Sequence, residues 1–171
     1  MQKVRTITQS AVLIALALAL SYTERFIPLQ LVIPLPGIKL GLANIVTLVA
    51  LYLFGTRQAF AVLVPRCLLG AMFGGGITGL LFSLLGGILA LAVMALVRRT
   101  GWFSVYGVSV LGAAAHNVGQ ILAAMGLMQS VYVGAYLPWL LLMAIVTGLL
   151  TGGCSAGVLR AMERVVPRRT A

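Results

Sequence analysis

The chain has 171 residues, of which 61% are hydrophobic and 8% are charged, and its mean hydropathy is +1.12. This composition lies far outside that of soluble globular domains. The net charge of +10 is not arranged as a basic stripe interleaved with aromatic residues, which argues against a nucleic-acid-binding protein. Because the apolar runs are continuous rather than alternating, the sequence predicts an all-α integral membrane protein and not a β-barrel.

The apolar runs and the breaks between them predict a single transmembrane domain over residues 1–171 with six spans. The expected spans are residues 7–26, 38–54, 58–74, 77–97, 105–128 and 135–160. The first run has the length of a signal-peptide core, but its helix can continue to Phe26, so we favour a retained span over a cleaved signal. Nine cations flank the spans on the side of the N-terminus, which predicts that both termini lie in the cytoplasm.

The connection between the first two spans, residues 27–37, contains three prolines, which discourage a continuous helix. Most of its other residues are apolar, which is unusual for a loop in water. Two interpretations stay open, a lid over the bundle and a segment that lies on the membrane surface.

Arg66 is the leading candidate for a functional residue. It follows Pro65 in the third span, roughly 13 Å from each interface at 1.5 Å per residue. The chain has two carboxylates, Glu24 and Glu163, and we expect neither within the hydrophobic part of a span. Since a guanidinium cannot deprotonate, it needs a partner, a watery cavity or the lipid surface. We favour an anion-binding role over a structural arginine that bonds carbonyls or snorkels to the surface.

Other polar groups in the spans extend this candidate site. His116 and Gln120 share one helix face, while Asn117 points partly aside. A ligand contact and a helix-to-helix hydrogen bond are equally open for His116, and Arg25 either pairs with Glu24 or points into the site. The predicted substrate-binding residues are Arg66, His116, Asn117, Gln120, Asn44, Lys39 and Arg25.

Several kinds of chemistry lack their motifs in this sequence. There is no phosphate loop, no HExxH, no nucleophile–base constellation and no intramembrane acid for ion coupling. Cys67 and Cys154 lack a metal-ligand spacing, so we expect neither a metal nor a cofactor. These absences predict a binding or permeation subunit and not an enzyme.

Small residues recur at four-residue spacing in several spans, which lets helix backbones approach closely. Packing within the bundle is the ordinary interpretation of such rows. The row Ala11, Ala15 and Ala19 in the first span is the one that could face a partner, because a first helix can be peripheral.

Three stretches resemble the signature of the Gx transporter family, whose members are often labelled heptaprenyl diphosphate synthase component I. They are residues 35–46 (LPGIKLGLANIV), 51–55 (LYLFG) and 112–117 (GAAAHN), and the similarity runs from about Val4 to Val165. The family is grouped with the substrate-binding S-components of energy-coupling factor (ECF) vitamin transporters.

The resemblance implies a six-helix S-component in a prokaryotic cell membrane that captures a micronutrient, and Arg66 with the other cationic candidates favours a small anionic one. Its partners would be a transmembrane coupling protein and two ATPases, with Ala11, Ala15 and Ala19 docking to the coupling protein. Two other hypotheses stay open, a membrane subunit or scaffold for isoprenoid diphosphate synthesis and an assembly or sensor protein without a small ligand. The lack of an Asp-rich magnesium site argues against catalysis in the second.

Overall fold

The computed structural model describes residues 2–26 and 41–165, and these fold into six α-helices. The helices are α1 Gln2–Thr23, α2 Asn44–Phe54, α3 Thr56–Gly70, α4 Gly76–Thr100, α5 Val105–Met128 and α6 Leu137–Val165. Short helical turns at Glu24–Phe26, Ala71–Gly75 and Val131–Tyr136 complete the described elements, which include no strand. The all-α prediction is therefore confirmed for the part of the chain that the structure describes.

Four segments of the described chain are long and apolar enough to cross a membrane. They are Thr6–Thr23, Thr56–Thr100, Val105–Met128 and Val131–Arg164. The helix α2 has 11 residues, about 16 Å at 1.5 Å per residue, which is shorter than a hydrocarbon core of roughly 30 Å. The count of six spans and the cytoplasmic termini therefore stay predictions.

The segment Thr56–Thr100 is a hairpin of α3 and α4. Its turn contains non-helical dihedral angles at Phe73 and Gly74, and Gly74 has φ +99°, which glycine adopts without steric cost. The two helices then pack side by side, since a Cβ added at Gly87 would lie 2.6 Å from Leu63 Cδ1. The third span was predicted to reach residue 74, whereas α3 ends at Gly70 because this turn begins there.

The short helix α2 lies at the centre of the bundle, where it packs against α1, α3, α4 and α6. Seven of its 11 residues are buried. The largest core cluster joins it to α3, α4 and α5 through Leu48, Leu51, Leu63, Met94 and Val108.

The first helix lies at the edge of the bundle. It packs mainly on α2 and α3, and it buries Ala17 together with parts of Leu13 and Leu20. The rest of its surface is largely exposed and apolar, as expected for a helix face that meets lipid or another membrane protein.

Candidate functional site

Arg66 is buried inside the bundle, with 6% of its surface exposed. Its Nη2 donates a hydrogen bond to Asn44 Oδ1 at 3.3 Å, which ties α3 to the first residue of α2. Its Nε is buried and has no hydrogen-bond partner among the described residues. A Cβ at Gly87 would lie 3.5 Å from Nη2, so this glycine of α4 leaves room for the guanidinium. The side chain therefore stays inside the protein, and it has a donor to spare.

Glu24 lies just after the candidate span Thr6–Thr23 and is buried in the folded protein. It is 5% exposed, and its Oε1 accepts hydrogen bonds from the backbone N–H groups of Gly41 and Leu42, the latter at 3.3 Å. The carboxylate also interacts electrostatically with Arg66. The burial of Glu24 depends on a non-local contact, because the turn after α1 meets the segment that leads into α2, 17 residues further along the chain.

His116 lies beside the same segment and is 3% exposed. A Cβ at Gly41 would be 3.4 Å from His116 Cδ2 and 2.8 Å from Asn44 Nδ2, and Gly41 has φ +81°. On its other side the imidazole packs on α4, since a Cβ at Gly86 would be 2.9 Å from Cε1. We call Glu24, Gly41, Asn44, Arg66 and His116 the polar cluster.

The remaining predicted site residues on α5 divide between two faces. Gln120 is fully buried one turn after His116. Asn117 is buried too, but its Nδ2 donates to the carbonyl oxygen of Leu140 at 2.6 Å, so it joins α5 to α6. The structure does not bring Asn117 to Arg66, and the ligand-binding roles of both residues stay predictions.

Two other predicted site residues lie outside the described part of the chain. These are Lys39 and the side chain of Arg25, and the connection 27–37 with its lid interpretation lies outside it as well. The predicted docking residues Ala11, Ala15 and Ala19 are described, and all three are exposed on α1.

A cavity of about 420 Å³ opens between α1, α3 and α4, and the buried residues Arg66 and Cys67 are part of its lining. Tyr22 of α1 and Phe73 of the α3–α4 turn line its exposed rim. Ser83 of α4 lines the far wall. Sequence reasoning missed these wall residues, because an aromatic residue at a helix end is ordinary in a membrane protein.

The chemistry available in this cavity is recognition by hydrogen bonding and charge. Among the described residues, no three His, Cys, Asp or Glu side chains form a group that could hold a metal ion. A buried guanidinium with an open donor binds carboxylate and phosphate oxygens, while the aromatic rim offers apolar contact.

Comparison with known proteins identifies the family. The family model described as heptaprenyl diphosphate synthase component I matches residues 13–158, which is most of the chain. No curated protein and no solved structure matches the chain. The chain, with its apolar helices and its buried arginine, belongs to the heptaprenyl diphosphate synthase component I family, also called the Gx transporter family.

Proposed function

We propose that the chain is the substrate-binding subunit, or S-component, of an ECF-type importer for a small anionic molecule. The observation that carries this proposal is Arg66, a buried arginine that lines the cavity and whose Nε has no hydrogen-bond partner among the described residues. An arginine at the centre of a membrane helix costs about 3 kcal/mol on insertion scales, so its retention indicates use. The cavity lies in the volume range of small-molecule sites, roughly 300–1,000 Å³.

A hydrogen bond from the guanidinium of Arg66 to the ligand sets the expected loss of affinity when this residue is removed. A hydrogen bond to a charged group contributes about 1.5–3 kcal/mol, which is roughly 10- to 150-fold in affinity. We therefore expect Arg66→Ala to raise the Kd for an anionic ligand by at least about tenfold, so that less of the ligand co-purifies. Mass spectrometry of small molecules extracted from the purified protein measures this. Arg57→Ala removes an exposed arginine from the start of the same helix and should retain the ligand.

The first helix supports the partner half of the proposal. Ala11, Ala15 and Ala19 form an exposed row of small side chains on a peripheral helix, against which another membrane helix can approach closely. The sequence contains no phosphate loop, so ATP-driven release requires separate ATPases. We propose a transmembrane coupling protein and two ATPases as partners, in the cell membrane of a prokaryote.

The family description favours a second candidate, a membrane subunit or scaffold for isoprenoid diphosphate synthesis. In that role the open donor of Arg66 would bind a diphosphate oxygen. The two candidates require different partners, because an importer needs ATPases and a scaffold needs a prenyl synthase.

The deciding experiment is affinity purification of the tagged chain from native membranes, with mass spectrometry of the retained proteins. Wild type is compared with Ala15→Leu and with Ala61→Leu, which makes the same change at an exposed alanine of α3. Loss of a coupling protein and two ATPases in Ala15→Leu alone supports the importer and its docking helix. Recovery of a prenyl synthase instead supports the scaffold, and recovery of no partner contradicts both.

A further inference from the structure

The cavity at Arg66 combines one charged group with mostly apolar walls. Apart from Arg66, its polar lining consists of hydroxyl and thiol groups, among them Ser83 and Cys67. The apolar walls come from α1, through Leu18 and Ala19, and from Phe73 in the α3–α4 turn. A small, fully hydrated anion would bury its charge well but would leave these walls without a matching surface.

The mouth of the cavity lies near the end of the bundle where α1 ends and α3 turns into α4. Among its lining residues 56% of Tyr22 and 67% of Phe73 are exposed, and Ala19 is exposed too. Ala19 and Tyr22 belong to Thr6–Thr23, one of the four segments able to cross a membrane. The opening therefore lies beside the last turn of a helix that is long and apolar enough to cross a membrane, so a ligand that reaches Arg66 passes apolar and aromatic side chains.

The gap between α1 and α3 continues this opening towards Arg66. A Cβ at Gly70 would meet only Leu18 Cδ2, at 3.8 Å, so the glycine leaves free space between the two helices. Gly70 lies one helical turn after Arg66, on the face of α3 that lines the cavity. An elongated apolar group fits along this face with its acidic end at the guanidinium.

We propose that the ligand of this cavity is an amphiphilic anion, with an acidic head on Arg66 and an apolar body between Tyr22 and Phe73. This inference rests on the proposed function, because it assigns the substrate class of the same cavity. The two aromatic side chains at the rim are rigid, so they fix the direction of the apolar body relative to the acidic head.

The experiment offers the head and the body of one amphiphile separately. Purified protein in phosphatidylcholine nanodiscs is incubated with farnesyl phosphate, farnesol or inorganic phosphate, and native mass spectrometry measures the bound fraction. We expect farnesyl phosphate to reach half occupancy at a concentration at least about tenfold lower than either part alone. Palmitate and acetate repeat the comparison with a carboxylate head.

Matched variants separate the two contacts. Arg66→Gln keeps a donor for Asn44 while removing the charge. It should lower the affinity for farnesyl phosphate at least about tenfold. Phe73→Ala should lower the affinity for farnesyl phosphate about three- to tenfold and leave the affinity for inorganic phosphate unchanged. The controls are Arg57→Ala and Phe60→Ala, which remove an exposed arginine and an exposed phenylalanine from α3 away from the cavity, and both should bind as wild type does.

Each other result overturns the inference. If inorganic phosphate or acetate binds as tightly as its amphiphile and depends on Arg66, the substrate is a water-soluble anion and the importer proposal stands. If farnesol binds as well as farnesyl phosphate, or if neither amphiphile depends on Arg66, only partition into the bilayer is observed. The importer proposal fails by a separate result, namely the absence of a coupling protein and ATPases after affinity purification.

Discussion

The contact between α4 and α5 at Gly119 positions the polar cluster, and a single methyl group should break it. A Cβ at Gly119 would lie 2.7 Å from both Gly86 Cα and Leu85 O. These are backbone atoms, so no side-chain rotation relieves the clash, and the helices must separate by about 1 Å to restore ordinary contact. Overpacking typically costs about 1–3 kcal/mol, and we expect Gly119→Ala at the upper end of that range. At about 2–4 °C per kcal/mol, the Tm should fall by roughly 6–12 °C.

A thiol-reactive dye measures this change, because Cys67 is buried and reacts when the bundle opens. The background carries Cys154→Ser, which removes the exposed thiol. The control is Gly126→Ala in the same helix, where a Cβ meets nothing within 4 Å and alanine favours the helix by about 1 kcal/mol. A Gly119→Ala protein that melts within about 2 °C of the Gly126→Ala protein would refute the close approach of α4 and α5.

Two further predictions concern single side chains with matched controls. Arg98 donates hydrogen bonds to the carbonyl oxygens of Leu51 and Tyr52, and its Cζ lies 4.7 Å from the centre of the Tyr52 ring. Arg98→Ala should therefore lower the free energy of unfolding by roughly 2 kcal/mol in a thermal melt. Arg99→Ala, at an exposed neighbour, should change it by no more than about 0.5 kcal/mol, and equal losses in the two variants would contradict the role of Arg98 at the end of α2. Ala15→Leu should leave the Tm within about 2 °C because Ala15 is exposed, and a large fall would show that the alanine row packs inside the bundle.

The bounds of α5 were predictable because their signals are local. The apolar run from Val105 to Met128 predicted the helix that the structure contains. Ser104 precedes it as the N-cap, with its Oγ accepting from the Gly107 N–H at 3.4 Å, and Gln129 ends it in the left-handed conformation. Arg66 was also predictable as a buried charge, because its residue type and its place in an apolar run suffice.

The partners of the cluster were not predictable from local patterns. The contacts of Glu24 join residues 17 and 18 positions apart, and the bond from Arg66 to Asn44 spans 22 positions. The start of α2 was misplaced for a related reason. The second span was predicted from residue 38, but a turn with Gly41 at φ +81° precedes Asn44, and hydrophobicity does not record a dihedral angle. Residues 38–40 lie outside the described chain.

The two ends of α2 each meet a side chain whose charge is opposite to the charge of that helix end. A short helix inside a membrane protein must satisfy the free N–H groups at its start and the free carbonyl groups at its end. Glu24 binds N–H groups of the turn that leads into α2, and Arg98 binds carbonyl groups at its end, each with the sign that complements the helix dipole. The carboxylate of Glu24 therefore interacts both with the N–H groups that precede α2 and with the guanidinium of Arg66, so it joins the turn after α1 to α2 and α3.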